Sequence, residues 1–561
     1  MTTTTDSTAP SPNELLKLGS PTLSGSIAQT LADPRTDRFS DADNQFLKFH
    51  GIYQQDDRDL RKTGKKFILM VRVRMPGGVL SPAQYMDLDR LSSEYGNDTL
   101  RITSRQALQF HGVLKANLAS TIKGINDTLL TTIAACGDVV RNVMAPSGPV
   151  ADGVGEQILA AARRLSRDLA PVTPAYHDIW LEGKALDLGE ERVQSFVDPL
   201  YGKTYLPRKF KIGFAIPPLN EVDVFTHCVG LIAIVEDGRL VGYDLLAGGG
   251  MGRSHGNEET FPRVADVVGF LTPDQVDTAV RSAVTIHRDF GDRSDRKHAR
   301  LKYLLAERGV DWFRTELENR SGFKVAPARP FLFTKQGDRF GWHEQADGKW
   351  FLGLFVETGR IKDTETRQFK TALREVIERY QPEVRLTPGN NLLLSNVPHD
   401  HCESITGILA GHGISVASQG SPVRRASMAC VSLPTCGLGL AESERYLPGL
   451  ITRIEALLAE LGLGNEEIVI RMTGCPNGCA RPYMAEIGFV GKAPGRYQIY
   501  LGGNEASTRL NRLSKDNVKE AEIVNELRPL FTRFKQERAG KERFGDWVER
   551  VVWKEQQTSP G

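Results

Sequence analysis

The stretch RITSRQALQFHGV (101–113) lies over RLTPGNNLLLSNV (385–397) without a gap, with Arg, Thr, Leu and Val at matching places. Upstream of each is an apolar run ending in a glycine turn, FILMVRVRMPGGVLS (67–81) and WFLGLFVETGRI (350–361), both with the alternation of a half-buried strand. A strand, turn, helix, strand unit used twice marks a duplication whose copies pair across a pseudo-twofold axis. The chain is therefore expected to be α+β, a mixed α/β protein of paired halves. At 561 residues it has material for three or four compact units with separate cores.

A larger region follows each copy. In the second, Leu447, Leu450, Ile451, Ile454, Leu458 and Leu461 keep a helical period that stops at Gly462, a C′ glycine. The short β-branched run Ile468, Val469, Ile470 predicts a strand that delivers Cys475 and Cys479 onto a glycine-rich loop. KFKIGFAIP (209–217) is its counterpart in the first region, without a cysteine pair after it. Alternation places Lys209 and Lys211 on one face there.

Four of the seven cysteines form two pairs, Cys430 and Cys436 in MACVSLPTC, Cys475 and Cys479 in TGCPNGC. Four thiolates on two loops are what a 4Fe-4S cluster needs. Intervals of five and three intervening residues suit structural zinc poorly, and two disulfides would need an oxidising compartment; both alternatives stay open at this point. Cys136, Cys228 and Cys402 are expected to be buried free thiols. The chain starts polar, without a basic n-region or an apolar run of signal-peptide length, and has no Arg before Arg35. We therefore expect a disordered or extended arm over 1–45 and a cytoplasmic protein, where thiols stay reduced. No apolar run is long enough to span a bilayer, so no membrane partner is expected. A net charge of +2 gives no reason to expect nucleic acid. The basic stretch 509–554 interleaves Lys and Arg with Glu and reads as a solvated helix face. GGGMGR (248–253) lacks the strand-to-helix fingerprint of a dinucleotide loop and is expected to let backbone approach a cofactor closely.

Taken together, KFHGIYQQDDRD, VRVRMPGGV, RITSRQALQFHGV, RNVM, YLPRKFK, LLAGGGMGRSHG, MACVSLPTC, TGCPNGCARPYMAE and VGKAPGRY resemble the sulfite and nitrite reductases that carry sirohaem and a 4Fe-4S cluster, most closely the haemoprotein subunits of assimilatory sulfite reductases. The resemblance runs from about Phe46 to Trp547. It implies ferredoxin-like half-domains over 46–133 and 336–412, paired across a pseudo-twofold. It also implies two larger α/β domains around the sirohaem, 134–335 without a cluster and 413–561 with one.

The activity it implies is the six-electron reduction of sulfite to sulfide, with assimilatory nitrite reduction as the alternative. A non-catalytic nucleic-acid-binding or interaction protein of the same fold is the more distant one. Cys430, Cys436, Cys475 and Cys479 would ligate the cluster, and Cys479 also the sirohaem iron. Arg72, Arg141, Lys209 and Lys211 would surround the anion at the open haem face, where crowded like charges lower lysine pKa and suit the two lysines as proton donors. Lys211 separates the two substrates, since nitrite-preferring relatives tend to place Asn there.

Arg101, Thr103, Arg105, Gln109 and His111, read as alternating along one strand, would face the macrocycle, with His111 a donor and not an iron ligand. Arg208, Thr473, Asn477 and Arg481 match further pocket positions. Gly137 stands where relatives carry an Asn. Electrons would come from an NADPH-oxidising flavoprotein subunit, as IYQQDDRD suggests, or from ferredoxin, as GGGMGR, GWHEQADGK and CARPYMAE suggest.

Overall fold

The computed structural model describes residues 9–149, 153–182 and 195–558. Its duplication takes the form of an exchange of strands. One sheet runs Ile52–Asp56, Phe67–Arg72, Leu108–Val113, Leu100–Ile102 and, at its edge, Arg360–Ile361. The other repeats that order with Gly341–Glu344, Trp350–Leu354, Leu392–Val397, Glu383–Leu386 and the edge strand Val79–Leu80. Each two-residue strand after a glycine turn thus leaves its own copy for the other, Arg360 opposite Arg101 and Val79 opposite Arg385. Gly78 and Gly359 make this possible. Both have positive φ (+72° and +78°), and a Cβ on either would stand 2.7 Å from a carbonyl of the opposite copy, Leu386 O and Ile102 O, which are matching positions of the repeat. Helices Pro82–Tyr95 and Phe369–Tyr380 pack on one another, tied by Arg374 Nε to Asp89 Oδ2 at 2.7 Å.

The two larger units also share a plan. Ile212–Ala215 pairs parallel with Val229–Glu236 and continues antiparallel through Arg239–Ala247 and Asp266–Leu271. Ile470–Thr473 pairs parallel with Ile487–Ala493 and continues antiparallel through Arg496–Leu501 and Arg512–Lys519, with Ser427–Ala429 added outside. The first parallel strand of each set is buried along its whole length, as parallel strands covered on both faces are. The expected strand at Ile468 begins two residues later, at Ile470, while Ile468 and Val469 enter it buried. Helix Leu447–Glu460 buries the predicted apolar stripe and ends before Gly462 at φ +70°.

The expected extended arm over 1–45 is corrected for its described part; residues 1–8 lie outside the described residues. Helices Pro12–Gly19 and Ile27–Ala32 form there, and Asp41–Phe49 begins there. Composition missed them because tertiary polar contacts hold them. Lys17 Nζ donates to Leu206 O at 2.9 Å and pairs with Glu14, Tyr205 OH donates to Pro21 O at 2.8 Å, and Ser11 N donates to Arg293 O at 2.9 Å. Breaking a buried pair of this kind costs about 3 kcal/mol. Deleting residues 1–24 is expected to lower Tm by roughly 2–3 °C for a chain of this length, measured by calorimetry; an unchanged Tm would show the arm to be dispensable. On the C-terminal basic stretch Arg528, Arg533 and Arg538 pair with Glu460, Glu537 and Glu466. Among the described residues no helix is long and apolar enough to cross a membrane.

Candidate functional site

A cavity of about 560 Å³ opens where both small units and both large units meet. Its wall carries Arg72, Arg101, Thr103, Arg105, Gln109, His111, Arg141, Arg208, Lys209, Lys211, Cys430, Cys436, Cys475, Asn477, Cys479 and Arg481. Of the candidates only Thr473 is off the wall, buried in its strand with no partner for its hydroxyl.

The cysteine loops leave the same ends of neighbouring parallel strands, Ser427–Ala429 and Ile470–Thr473, so topology alone brings them together. Gly474 N donates to Cys430 Sγ (3.4 Å) and Asn477 Nδ2 to Cys475 Sγ (3.5 Å), the N–H to sulfur contacts that tune a thiolate site. Arg58 donates to Cys436 O (2.9 Å) and Gly439 O (2.7 Å), fastening the first cysteine loop to the small unit. All seven cysteines are free, which sets the disulfide reading aside. Burial raises the Cys430 and Cys436 thiols and, for Cys475, the pKa to about 11; in each case the neighbouring Cys479 is the next cause. Among the described residues no three ligands close on a single ion. The intervals of five and three residues within the two cysteine pairs suit a four-iron cube better than a tetrahedral zinc.

The cavity lining is strongly basic. Eleven lysines and arginines line the cavity against one carboxylate, Asp138. Lys209 and Lys211 flank Phe210, whose backbone bonds Val139 O and Arg141 N (both 3.0 Å). The strand itself starts at Ile212, so the two lysines stand just before it, still on one side by alternation. Burial first, then Arg208 for Lys209 and Arg105 for Lys211, holds both pKa values well below the usual lysine range. Arg72 Nη1 donates to Cys136 Sγ at 2.9 Å, and Arg141 Nε donates to Gly137 O at 3.2 Å. In the amide orientation that satisfies both groups, Gln109 accepts from Arg72 Nε at 3.1 Å.

The set Arg101, Thr103, Arg105, Gln109 and His111 does not occupy one strand. It stands on a hairpin of Leu100–Ile102 and Leu108–Val113, in which Arg101 is opposite Gln109. Pairing of odd with odd positions keeps Arg101, Gln109 and His111 on a common face. The turn was invisible because it uses Gln106 at φ +50° and no glycine or proline; its buried amide bonds Ala145 O (2.9 Å) and Leu386 O (3.2 Å). Arg101 donates to Glu444 Oε2 and Ala429 O, both 2.8 Å. Burial pushes the Glu444 carboxyl up, but Arg360 and Arg101 outweigh it and hold its pKa at about 2. Arg105 meets His227 Nδ1 (2.9 Å) and Asn142 O (3.1 Å), and burial lowers its pKa to about 9. Arg208 lies 3.7 Å from Asp138, with its pKa lowered to about 10 by burial and by Arg296. Burial and Arg360 keep the His111 imidazole neutral, and its Nε2 has no partner.

Sequence reasoning missed several wall residues. Tyr53 and Lys48 come from KFHGIYQQDDRD, a motif quoted without roles; burial, then Arg296, lowers Lys48 to about 8. Asn13, Leu16 and Lys17 come from the first helix, and Arg296 pairs with Asp138 at 2.6 Å. The glycine run 248–253 does not line the cavity. It packs on the cysteine loop instead, with Arg253 N donating to Pro476 O at 2.8 Å and Gly252 leaving only 3.2 Å between an added Cβ and Asn477 O. Cys136 and Cys228 are buried as expected, whereas Cys402 is half-buried on an outer helix. An added Cβ at Gly137, φ +88°, would meet Phe49 at 2.9 Å.

The family model described as the nitrite/sulfite reductase ferredoxin-like half domain matches this chain twice, at 60–127 and 343–412. The nitrite and sulphite reductase 4Fe-4S domain model matches 160–325, the large unit without the cysteine quartet. The "Sulfite reductase [NADPH] hemoprotein beta-component" of Staphylococcus saprophyticus is 48% identical over 545 residues, 96% of this chain and 95% of that protein. The protein of the same name from Myxococcus xanthus is 48% identical over 544 residues, 96% of each. The solved structure of Mycobacterium tuberculosis NirA superposes with a TM-score of 0.79 at 25% identity, covering 97% of both chains. Paired half-domain matches at the strand exchange, together with near-half identity along almost the whole length, place this chain in the nitrite and sulphite reductase family.

Proposed function

We propose that this protein is the haemoprotein subunit of an assimilatory sulfite reductase, which reduces sulfite to sulfide by six electrons. One observation carries the reading: a single cavity joins the four-thiol loops to eleven lysines and arginines and one carboxylate. Such an excess of positive charge calls for a polyanion, and sirohaem, with eight carboxylates, is one. The partnerless His111 Nε2 on the cavity wall fits a cofactor edge. Sirohaem and a 4Fe-4S cluster, when bound, supply the electron transfer.

Cys430, Cys436, Cys475 and Cys479 would hold the cluster, Cys479 also the haem iron. Arg101, Thr103, Arg105, Gln109, His111, Arg208, Asn477 and Arg481 would hold the macrocycle, with Thr473 behind them.

Arg72 and Arg141 attract and orient the anion, since guanidinium groups keep their charge at any working pH. Lys209 and Lys211 are set to carry protons to it as oxygen leaves as water, because their lowered pKa values bring them nearer to neutral pH. Lys211 adds the second ammonium that a doubly charged sulfite needs more than nitrite does. With reduced methyl viologen the expected kcat/KM is higher for sulfite than for nitrite, and the reverse order would make the protein a nitrite reductase.

The donor is an NADPH-oxidising flavoprotein subunit and not ferredoxin. This follows the "[NADPH]" in the names of relatives 48% identical to the chain. Turnover with NADPH plus flavoprotein, compared with reduced ferredoxin, tests it. A cytoplasmic location is the matching part of the proposal, supported by four thiols that must stay reduced to bind iron.

A further inference from the structure

The two large units each put one residue at the same point of their shared plan. Asp223 stands before the short turn Val224–Thr226 and Arg481 before Pro482–Met484; each turn leads into the second strand of its parallel pair. Both residues hold left-handed backbone, φ +51° and +53°. Matching glycines support the equivalence. A Cβ at Gly230 would stand 2.9 Å from Val224 O, and one at Gly488 would stand 2.3 Å from Pro482 O.

Equivalent positions of a duplicated fold face each other only at its pseudo-twofold axis, and these two do: Arg481 Nε donates to Asp223 Oδ2. The other arms of the guanidinium donate to Ser104 O (2.9 Å) and Pro388 O (3.0 Å), themselves matching positions of the repeat. One side chain therefore grips both small units and the opposite large unit. Asp223 is fully buried and also receives Arg471 Nη1 at 2.8 Å. Arg481 lies two residues beyond Cys479, whose carbonyl accepts from Ser104 Oγ at 2.9 Å.

We propose that the Asp223–Arg481 pair is a positioning device for the redox centre, fixing the Cys479 loop on the axis and so setting the electron affinity of the group that Cys479 ligates. Identical residues at the two places would repel; opposite charges let the unit without cysteines hold the loop of the unit that has them. The inference rests on the quartet being cluster ligands.

The test uses the loaded enzyme carrying Asp223→Asn or Arg481→Lys, followed by EPR-monitored potentiometric titration. Asp223→Asn removes a negative charge beside the loop, so the midpoint potential of the iron-sulfur centre is expected to rise. Arg481→Lys keeps the charge, but one ammonium cannot span the fork, so a changed EPR line shape there reports geometry. In both, kcat with reduced methyl viologen is expected to fall on the order of tenfold, with KM for sulfite changing less than about threefold, as for a step made only in the transition state. Wild-type potential and line shape in both variants would overturn the proposal. If Asp223→Asn does not fold, Asp223→Glu decides by its line shape, since it keeps the charge, displaces the carboxylate from Arg481 and lies off the cavity wall. A wild-type enzyme without any iron-sulfur signal would instead defeat the cluster reading beneath it.

Discussion

Cys479→Ala is expected to abolish sulfite reduction, by at least ~1000-fold, and to remove the visible absorption of the bound centre. The geometry singles this cysteine out. All four thiols line the cavity, and Cys479 is the exposed one, while Cys475 is buried and Cys430 and Cys436 are half-buried. It is also the thiol that raises the pKa of each of the other three. Those three resist ionisation until a cation arrives, so assembly must release protons. On the proposed assignment, removing this thiolate would leave three of the four cluster ligands and take away the one shared with the haem iron. Because its side chain is exposed, the protein without its cofactors should keep its stability within about 0.5 kcal/mol, so the loss is one of chemistry and not of folding. Iron content, the visible spectrum and turnover check this, with Cys402→Ala as the control: its half-buried thiol packs at the edge of the core on an outer helix, 3.8 Å from Pro398 O and away from the cavity, and the change should alter none of them. A Cys479→Ala enzyme with full iron and a normal spectrum would remove the cysteine from the centre.

What the sequence made legible, and what it hid, follows from where the physics is local. The repeat was readable because both copies need the same backbone: glycine at 78 and 359, and positive φ at Gln106 and Asn390 and again at Gly112 and Asn396. The convergence of the two cysteine loops was legible because each pair is spaced locally and the parallel strands Ser427–Ala429 and Ile470–Thr473 carry both to one end of the sheet. The hairpin turn at Gln106 was not, because its left-handed residue is held by carbonyls of Ala145 and of Leu386, far along the chain. The first helix was hidden for a related reason: its charged residues Glu14 and Lys17 are buried against Arg293 and Asp138, so a polar composition that reads as solvated is in fact docked. Lys48, Arg296 and Asp138 reach the cavity from three separate segments, and nothing local announces that they meet there. Glu444 is the same case. Its carboxylate fixes Arg101 and Arg360, one from each small unit, and only the strand exchange brings those two side by side.

Lys211→Asn is expected to lower kcat/KM for sulfite about a hundredfold while leaving that for nitrite within about threefold. A unit charge about 4 Å from an anion contributes on the order of 4 kcal/mol at an effective dielectric near 20. Desolvation consumes part of this, and a hundredfold corresponds to ~2.7 kcal/mol. The pH dependence gives a sharper signature. Burial, then Arg105 and Lys209, hold the Lys211 pKa well below 10.5, and burial with Arg208 does the same for Lys209. An arriving anion favours the charged ammonium and raises both values. Between the lowered and the raised pKa, binding therefore takes up protons, and sulfite affinity must weaken as pH rises through that window. Each responding lysine adds up to one unit to the slope of log KM against pH. Lys211→Asn removes one of the two, so its slope should be shallower, and calorimetry in buffers of different ionisation heat should show correspondingly fewer protons taken up on sulfite binding. Equal proton uptake in wild type and variant would mean that Lys211 is already charged before sulfite binds, and its part in carrying protons to the anion would be lost.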